Sequence, residues 1–254
     1  MPVNRRVLTR KFSPDYPLPH WICPTCEVGI LELQKKSLFS CKTSETILDE
    51  QQAVWDALDE QYRFTAMFKC SNNSCEEAFS TAGMGTYEEV LSDEVTQYEL
   101  FFSPLYFNPS PVIIRIPPNC PKSISEELQK AFILSWGDYS SAANRVRASI
   151  EKLLDYLKVP KFPGNKRRKK DKLFLHKRIE KLPDKFNDIR NHLFAVKWLG
   201  NEGSHSGDFK RDDIFDAFDI IEHILESLFV KGGDKIAKLS KKINKAHGFP
   251  KALL

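Results

Sequence analysis

Apolar residues recur along this chain with two different patterns, and the change comes near residue 120. Before it they gather in short strand-like stretches at 29–33, 37–41, 63–69, 78–84 and 98–107. Between the second and third of these, Ile47, Val54, Trp55 and Leu58 mark 47–62 as a short inserted helix. A proline-dense stretch follows (Pro109, Pro111, Pro117, Pro118, Pro121), which favours extended backbone and reads as a linker. From Ser123 the period becomes helical. Ser123 and Glu126 have capping-box spacing, and Leu128, Ala131 and Phe132, with Trp136 as a candidate fourth member, form a first stripe that ends at Gly137. Ala142, Ala143, Val146, Ile150, Leu153, Leu154 and Leu157 form the second and clearest one. Further helices are predicted over 173–182, over 186–199 with Phe186, Ile189, Leu193 and Val196 inward, and over 214–229. Ile236, Leu239 and Ile243 could line a basic tail helix. The predicted fold class is α+β: a small β-rich domain followed by an all-α bundle of four or five helices.

Charge is segregated rather than spread. Residues 158–178 carry ten Lys or Arg against Asp171, and residues 231–254 carry seven Lys against Asp234. Residues 45–99 carry thirteen acids against Arg63 and Lys69. The C-terminal half therefore suits phosphate backbones and the middle does not, which makes RNA or DNA a candidate partner. The run Lys166, Arg167, Arg168, Lys169, Lys170 is the expected contact segment, flanked by Lys161 and Lys172. The first 21 residues hold no apolar core of a signal peptide, and no apolar run approaches the roughly 18 residues of a membrane span. The expectation is a cytoplasmic protein without a membrane partner.

Four of the six cysteines have metal-ligand spacing. Cys23-Pro-Thr-Cys26 has the shape of a zinc knuckle, a tight turn that aims two thiolates at one point. Cys70 and Cys75 supply a second pair with a wider gap, and Cys41 and His20 are possible replacements. Structural zinc held by Cys23, Cys26, Cys70 and Cys75 is expected, because four thiolates close the tetrahedron and leave no open position. Acids around the second pair argue for a staple rather than a nucleic-acid reader. No role is assigned to Cys120.

The other candidate site lies at 194–208, where Gly200, Gly203 and Gly207 alternate with Asn201, Ser204 and His205. The amphipathic run is expected to stop at Leu199, with Gly200 as a helix C-cap or the start of a polar hinge. Asn201 and His205 would share a face if the helix went on. Arg147 and Glu151, also four apart, could line a pocket with them, the guanidinium supplying a cation and the carboxylate orienting the imidazole. The alternative is a surface i,i+4 ion pair between Arg147 and Glu151.

Several of these strings occur together. Pro109-Ser110-Pro111, Ile116-Pro117, Pro121, Arg147 to Glu151, and Lys197-Trp-Leu-Gly-Asn-Glu-Gly-Ser-His205 make residues 106–230 resemble an uncharacterised bacterial domain family of the HEPN-like superfamily. That family often accompanies restriction and anti-phage proteins, and some members carry an N-terminal zinc ribbon. The resemblance implies an arm (1–19), a zinc-ribbon domain with an insertion (20–105), a HEPN-like helical domain (106–230) and a basic tail (231–254). It also implies a homodimer and defence-system partner proteins. Many HEPN domains are metal-independent RNases whose motif is Arg, four to six residues, then His. Here His205 matches the His and Asn201 the polar residue after the Arg, while the Arg position falls on Gly200, Leu199 or Trp198. The implied function is a nucleic-acid- or nucleotide-binding accessory or sensor. An RNase with a rearranged cation and a non-catalytic interaction bundle remain the alternatives.

Overall fold

The computed structural model describes residues 4–51, 56–92, 95–163, 172–205 and 210–230, with 200–205 described by backbone path alone. The basic run 166–170 and the tail 231–254 lie outside the described residues. In chain order the elements are α1 (Arg5–Leu8), β1 (Leu31–Leu33), β2 (Phe39–Lys42), α2 (Ser44–Asp49), β3 (Gln61–Cys70), β4 (Ala78–Ser92), β5 (Val95–Asn108), α3 (Lys122–Leu134), α4 (Tyr139–Tyr156), α5 (Leu175–Glu180), α6 (Asn187–His205) and α7 (Arg211–Phe229).

The strands form one curled antiparallel sheet. β3, β4 and β5 pair in succession, while β1 and β2 both pair with the other edge of β3. β3 shows why its sequence makes a strand. Phe64, Ala66, Phe68 and Cys70 point inward at every second position, and the residues between them face out. Cys70 is thus delivered to the core side by the same alternation that buries Phe68. A bulge at Ala82/Gly83 bends β4 against β5, and a Cβ on Gly83 would lie 2.1 Å from the Ser103 carbonyl oxygen.

The expected fold class, a small zinc ribbon followed by a separate all-α HEPN-like bundle, is corrected here. The chain builds a mixed α/β fold in which sheet and helices share one core. Strands of ten, fifteen and fourteen residues exceed any small ribbon. Trp21 packs edge-on against Phe68 and Phe107 of the sheet and also against Trp136 after α3, at 6.0 Å between centroids. The arm is built in as well: Phe12 exchanges backbone hydrogen bonds with Phe102, and Arg5 reaches Asp212, Asp216 and Asp219, a single stripe on α7. Burial of these aromatic rings, each worth roughly 150–250 Å², ties the N-terminal residues to both halves.

Local boundaries also move. Of the inserted helix expected over 47–62, the described residues show α2, which ends at Asp49, while Gln61 and Tyr62 already belong to β3 and Val54 and Trp55 lie outside the described residues. β4 continues through Glu88 and Glu89 to Ser92. Ser123 does not cap α3, which starts at Lys122 with Pro121 as N-cap and no side-chain cap. α6 does not stop at Leu199 but runs through Gly200 and Gly203 to His205. Each internal glycine costs about 1 kcal/mol relative to alanine. Burial of Ile189, Leu193 and Val196 on the same helix exceeds that. No helix among the described residues is long and apolar enough to cross a membrane.

Candidate metal centre and basic groove

The four expected ligands converge. Sγ of Cys23, Cys26, Cys70 and Cys75 all lie within 4.8 Å of one another. Cys23 and Cys75 are 3.8 Å apart, Cys26 and Cys70 3.6 Å. A tetrahedron of sulfurs about 2.3 Å from a central ion has edges of about 3.8 Å, so the spacing fits such an ion. All four are free thiols rather than disulfides. Cys41 is exposed on β2, and neither it nor His20 belongs to the cluster.

Two matching turns make the convergence. After the first pair, Glu27 N–H bonds the Cys23 carbonyl, and Glu27 turns to φ 54°. After the second, Cys75 and Glu76 N–H groups bond the Asn72 carbonyl, and Glu76 turns to φ 49°. The Thr25 hydroxyl donates to Glu77 across the two turns. Backbone N–H groups of Gly29 and Asn72 point at Sγ of Cys26 and Cys70. Hydrogen bonds from Gly29 and Val28 hold the Cys26 thiol down to about 6, while burial pushes the Cys70 thiol up to about 12. Four thiolates this close repel one another strongly, so the charged set requires a cation between them. Gly29 is the closest packing partner: a Cβ there would sit 2.4 Å from Cys70 Sγ.

The second site is a groove of about 370 Å³ along α4 and the start of α5. Arg147, Glu151 and Asp155 recur every four residues on α4, beside its buried stripe of Val146, Ile150 and Leu154. Lys152, Lys161, Lys172 and Arg178 complete a lining of five basic residues against two acids. Arg178 is buried, donates to Asp155 at 2.7 Å and to the Val159 carbonyl at 3.2 Å, and its Nε has no hydrogen-bond partner among the described residues. Burial works against charge on Asp155, but Lys161 and Arg178 outweigh it and hold its carboxyl below the usual range. Phe174 also lines the groove and is 81% exposed. The Leu173 N–H bonds the Lys161 carbonyl and closes the neck of the connecting loop. In sequence, Lys166 to Lys170 fall between two groove residues, Lys161 and Lys172.

Arg147 and Glu151 thus belong to this groove. The backbone of α6 puts Asn201 and His205 one turn apart, as a continued helix requires. Their side chains lie outside the described residues, and so does the contact expected between them and Arg147. Lys152, Asp155, Phe174 and Arg178 were not singled out from sequence. The available signal was aromatic residues interleaved with the basic stretch, Phe162 and Phe174 among its lysines.

Two family models match, one in each half of the chain. Residues 10–107 are similar to a domain of unknown function, DUF8608, and residues 128–246 to another, DUF4145. Each match covers less than half of the chain, and the proline-rich linker lies between them. No curated protein and no solved structure matches. The DUF8608 match contains all four cysteines, and the DUF4145 match contains the groove.

Proposed function

We propose that this chain is a non-membrane accessory module that holds single-stranded RNA or DNA along the α4–α5 groove, with zinc as a structural staple beneath its sheet. The single observation that supports the reading most is an exposed aromatic ring, Phe174, inside a groove with five basic residues. Strand-binding surfaces combine cations that follow the backbone with rings on which bases stack, each stack worth roughly 1–3 kcal/mol. The run Lys166 to Lys170 adds five positive charges in sequence between the groove residues Lys161 and Lys172.

Zinc is preferred to other ions on donor chemistry, since four thiolates in a closed tetrahedral set suit it. Cys23, Cys26, Cys70 and Cys75 would hold it. It supplies cross-linking and charge neutralisation and has no vacant position for a substrate.

The test is fluorescence anisotropy with a labelled single strand and with the same sequence as a duplex. The strand should bind more tightly. Phe174→Ala should weaken it by roughly 5- to 100-fold, the range that one lost stack implies. Equal affinity for strand and duplex, with Phe174→Ala neutral, would reject the reading. Phe174 is exposed enough that its removal leaves the core untouched.

A second reading, RNA cleavage, has one observation in its favour. Continuity of α6 places Lys197 four residues before Asn201 and eight before His205, on one helical face. Lys197 could then supply the cation that the Gly200 position lacks. Cleavage of RNA that is abolished by His205→Ala would establish it; no cleavage by the wild type would dismiss it.

A further inference from the structure

A small cavity of about 120 Å³ lies where the N-terminal arm, β5, the end of α3 and the start of α7 meet. Its polar lining is one-sided. Arg10, Lys11 and Arg211 supply three cations, Thr9, Ser103 and Ser135 supply three hydroxyls, and no carboxylate takes part. Glu88, outside the lining, pairs with Lys11, and Asp212 and Asp216 pair with Arg5. Arg211 is oriented by its Nε donating to the Tyr139 hydroxyl at 3.0 Å. Arg10 makes no ion pair among the described residues. Ser135 is buried, and its hydroxyl donates to the Phe132 carbonyl.

We propose that this cavity is a binding site for a phosphate-sized oxyanion, held by Arg10, Lys11 and Arg211 at the junction of arm, sheet and helices. Size and sign both select the ligand. At about 30 Å³ per water the space holds roughly four waters, enough for one tetrahedral group with five heavy atoms. Arginine forks match phosphate oxygens in pairs, and lysine adds a point charge. Among the described residues no acid pairs with Arg10 or Arg211, while Lys11 is paired with Glu88, so an anion held between the two guanidinium groups offsets their charge as well as adding hydrogen bonds. The three cations come from segments just over two hundred positions apart, Arg10 and Arg211 being the extremes. A bound oxyanion would therefore clamp the arm onto α7. The site is separate from the α4–α5 groove and does not depend on the nucleic-acid reading.

Thermal unfolding of the full chain tests it, with inorganic phosphate titrated at constant ionic strength. Wild type should show a saturable rise in Tm, on the order of 5 °C once phosphate exceeds its Kd about a hundredfold. Arg10→Gln should abolish the rise while leaving the phosphate-free Tm within a degree or two, because Arg10 is exposed and unpaired with any described acid. Arg211→Gln should abolish it too, and Lys152→Gln in the α4–α5 groove should not. Phenyl phosphate in a parallel titration separates the two sources of the group. An equal rise assigns the site to phosphomonoester heads, and a rise with phosphate alone assigns it to the free ion. No saturable rise in wild type, or the same rise in Arg10→Gln, overturns the proposal.

Discussion

Adding one methyl group at Gly29 should disable the metal centre without touching a ligand. The new Cβ would lie 2.4 Å from Cys70 Sγ, 3.0 Å from the Asn72 backbone nitrogen and 3.1 Å from Asn72 Cβ. Ordinary contact for such atoms begins at about 3.5 Å, so something must retreat by roughly 1 Å. The turn around Asn72 is pinned by the Cys75 and Glu76 N–H bonds to its carbonyl, which leaves the sulfur to move. Metal–sulfur distances tolerate only about 0.2 Å, so Cys70 would be pushed out of ligation. Overpacking alone costs about 1–3 kcal/mol, a fall in Tm of roughly 3–10 °C for a chain of this size. Loss of a ligand comes on top of that. The assay is metal content by mass spectrometry together with calorimetry, with and without a chelator. Gly29→Ala should retain well under one equivalent of zinc, and its Tm should no longer respond to the chelator. Gly137→Ala is the control: its Cβ would meet the Leu105 carbonyl oxygen at 2.6 Å, remote from the thiolates. It should lose stability while keeping its zinc. A Gly29→Ala protein with full zinc content and wild-type Tm would refute the argument that these four thiols ligate one ion.

Two further outcomes concern the groove. Arg178→Ala should destabilise by about 3 kcal/mol, because it leaves Asp155 without its buried partner and empties the space between α4 and α5; denaturant midpoints will show it. Asp155 has a depressed carboxyl pKa in the folded state. Its contribution is therefore present above the unfolded value of about 3.9 and is lost as pH falls through the folded value. Asp155→Asn should flatten the Tm-versus-pH curve on that acid limb, and an unchanged limb would show that the Lys161 and Arg178 contacts do not matter for stability.

Much of this was legible in residue spacing, and the failures have identifiable causes. The Cys-Pro-Thr-Cys turn and the Cys70/Cys75 pair announced a four-sulfur cluster, because metal-ligand geometry is local to each turn. The amphipathic stripes of α4 and α7 were equally readable, since burial of Val146, Ile150, Phe218 and Ile221 follows helical period. The separation into ribbon and bundle was not, because it depends on long-range contacts. Phe12 and Trp21 carry no periodic signal, yet with Trp136 they join the arm, the sheet and the helices into one core. Gly200 and Gly203 looked like punctuation, and tertiary packing of α6 overrode their propensity. The groove escaped because its residues come from α4, the neck of a loop and α5. The approach of Leu173 to Lys161 and the bonds from Arg178 to Asp155 and Val159 bring them together.

The most direct test of the central claim is the salt dependence of single-strand binding. Wild-type affinity should fall steeply between about 50 and 200 mM salt, with a log–log slope near −0.7 per phosphate neutralised. Reversing the basic run (Lys166→Glu, Arg167→Glu, Arg168→Glu, Lys169→Glu, Lys170→Glu) should weaken binding for every sequence and make that slope shallower. A strand affinity that ignores salt, or a slope and affinity unchanged by reversing all five charges, would contradict the account.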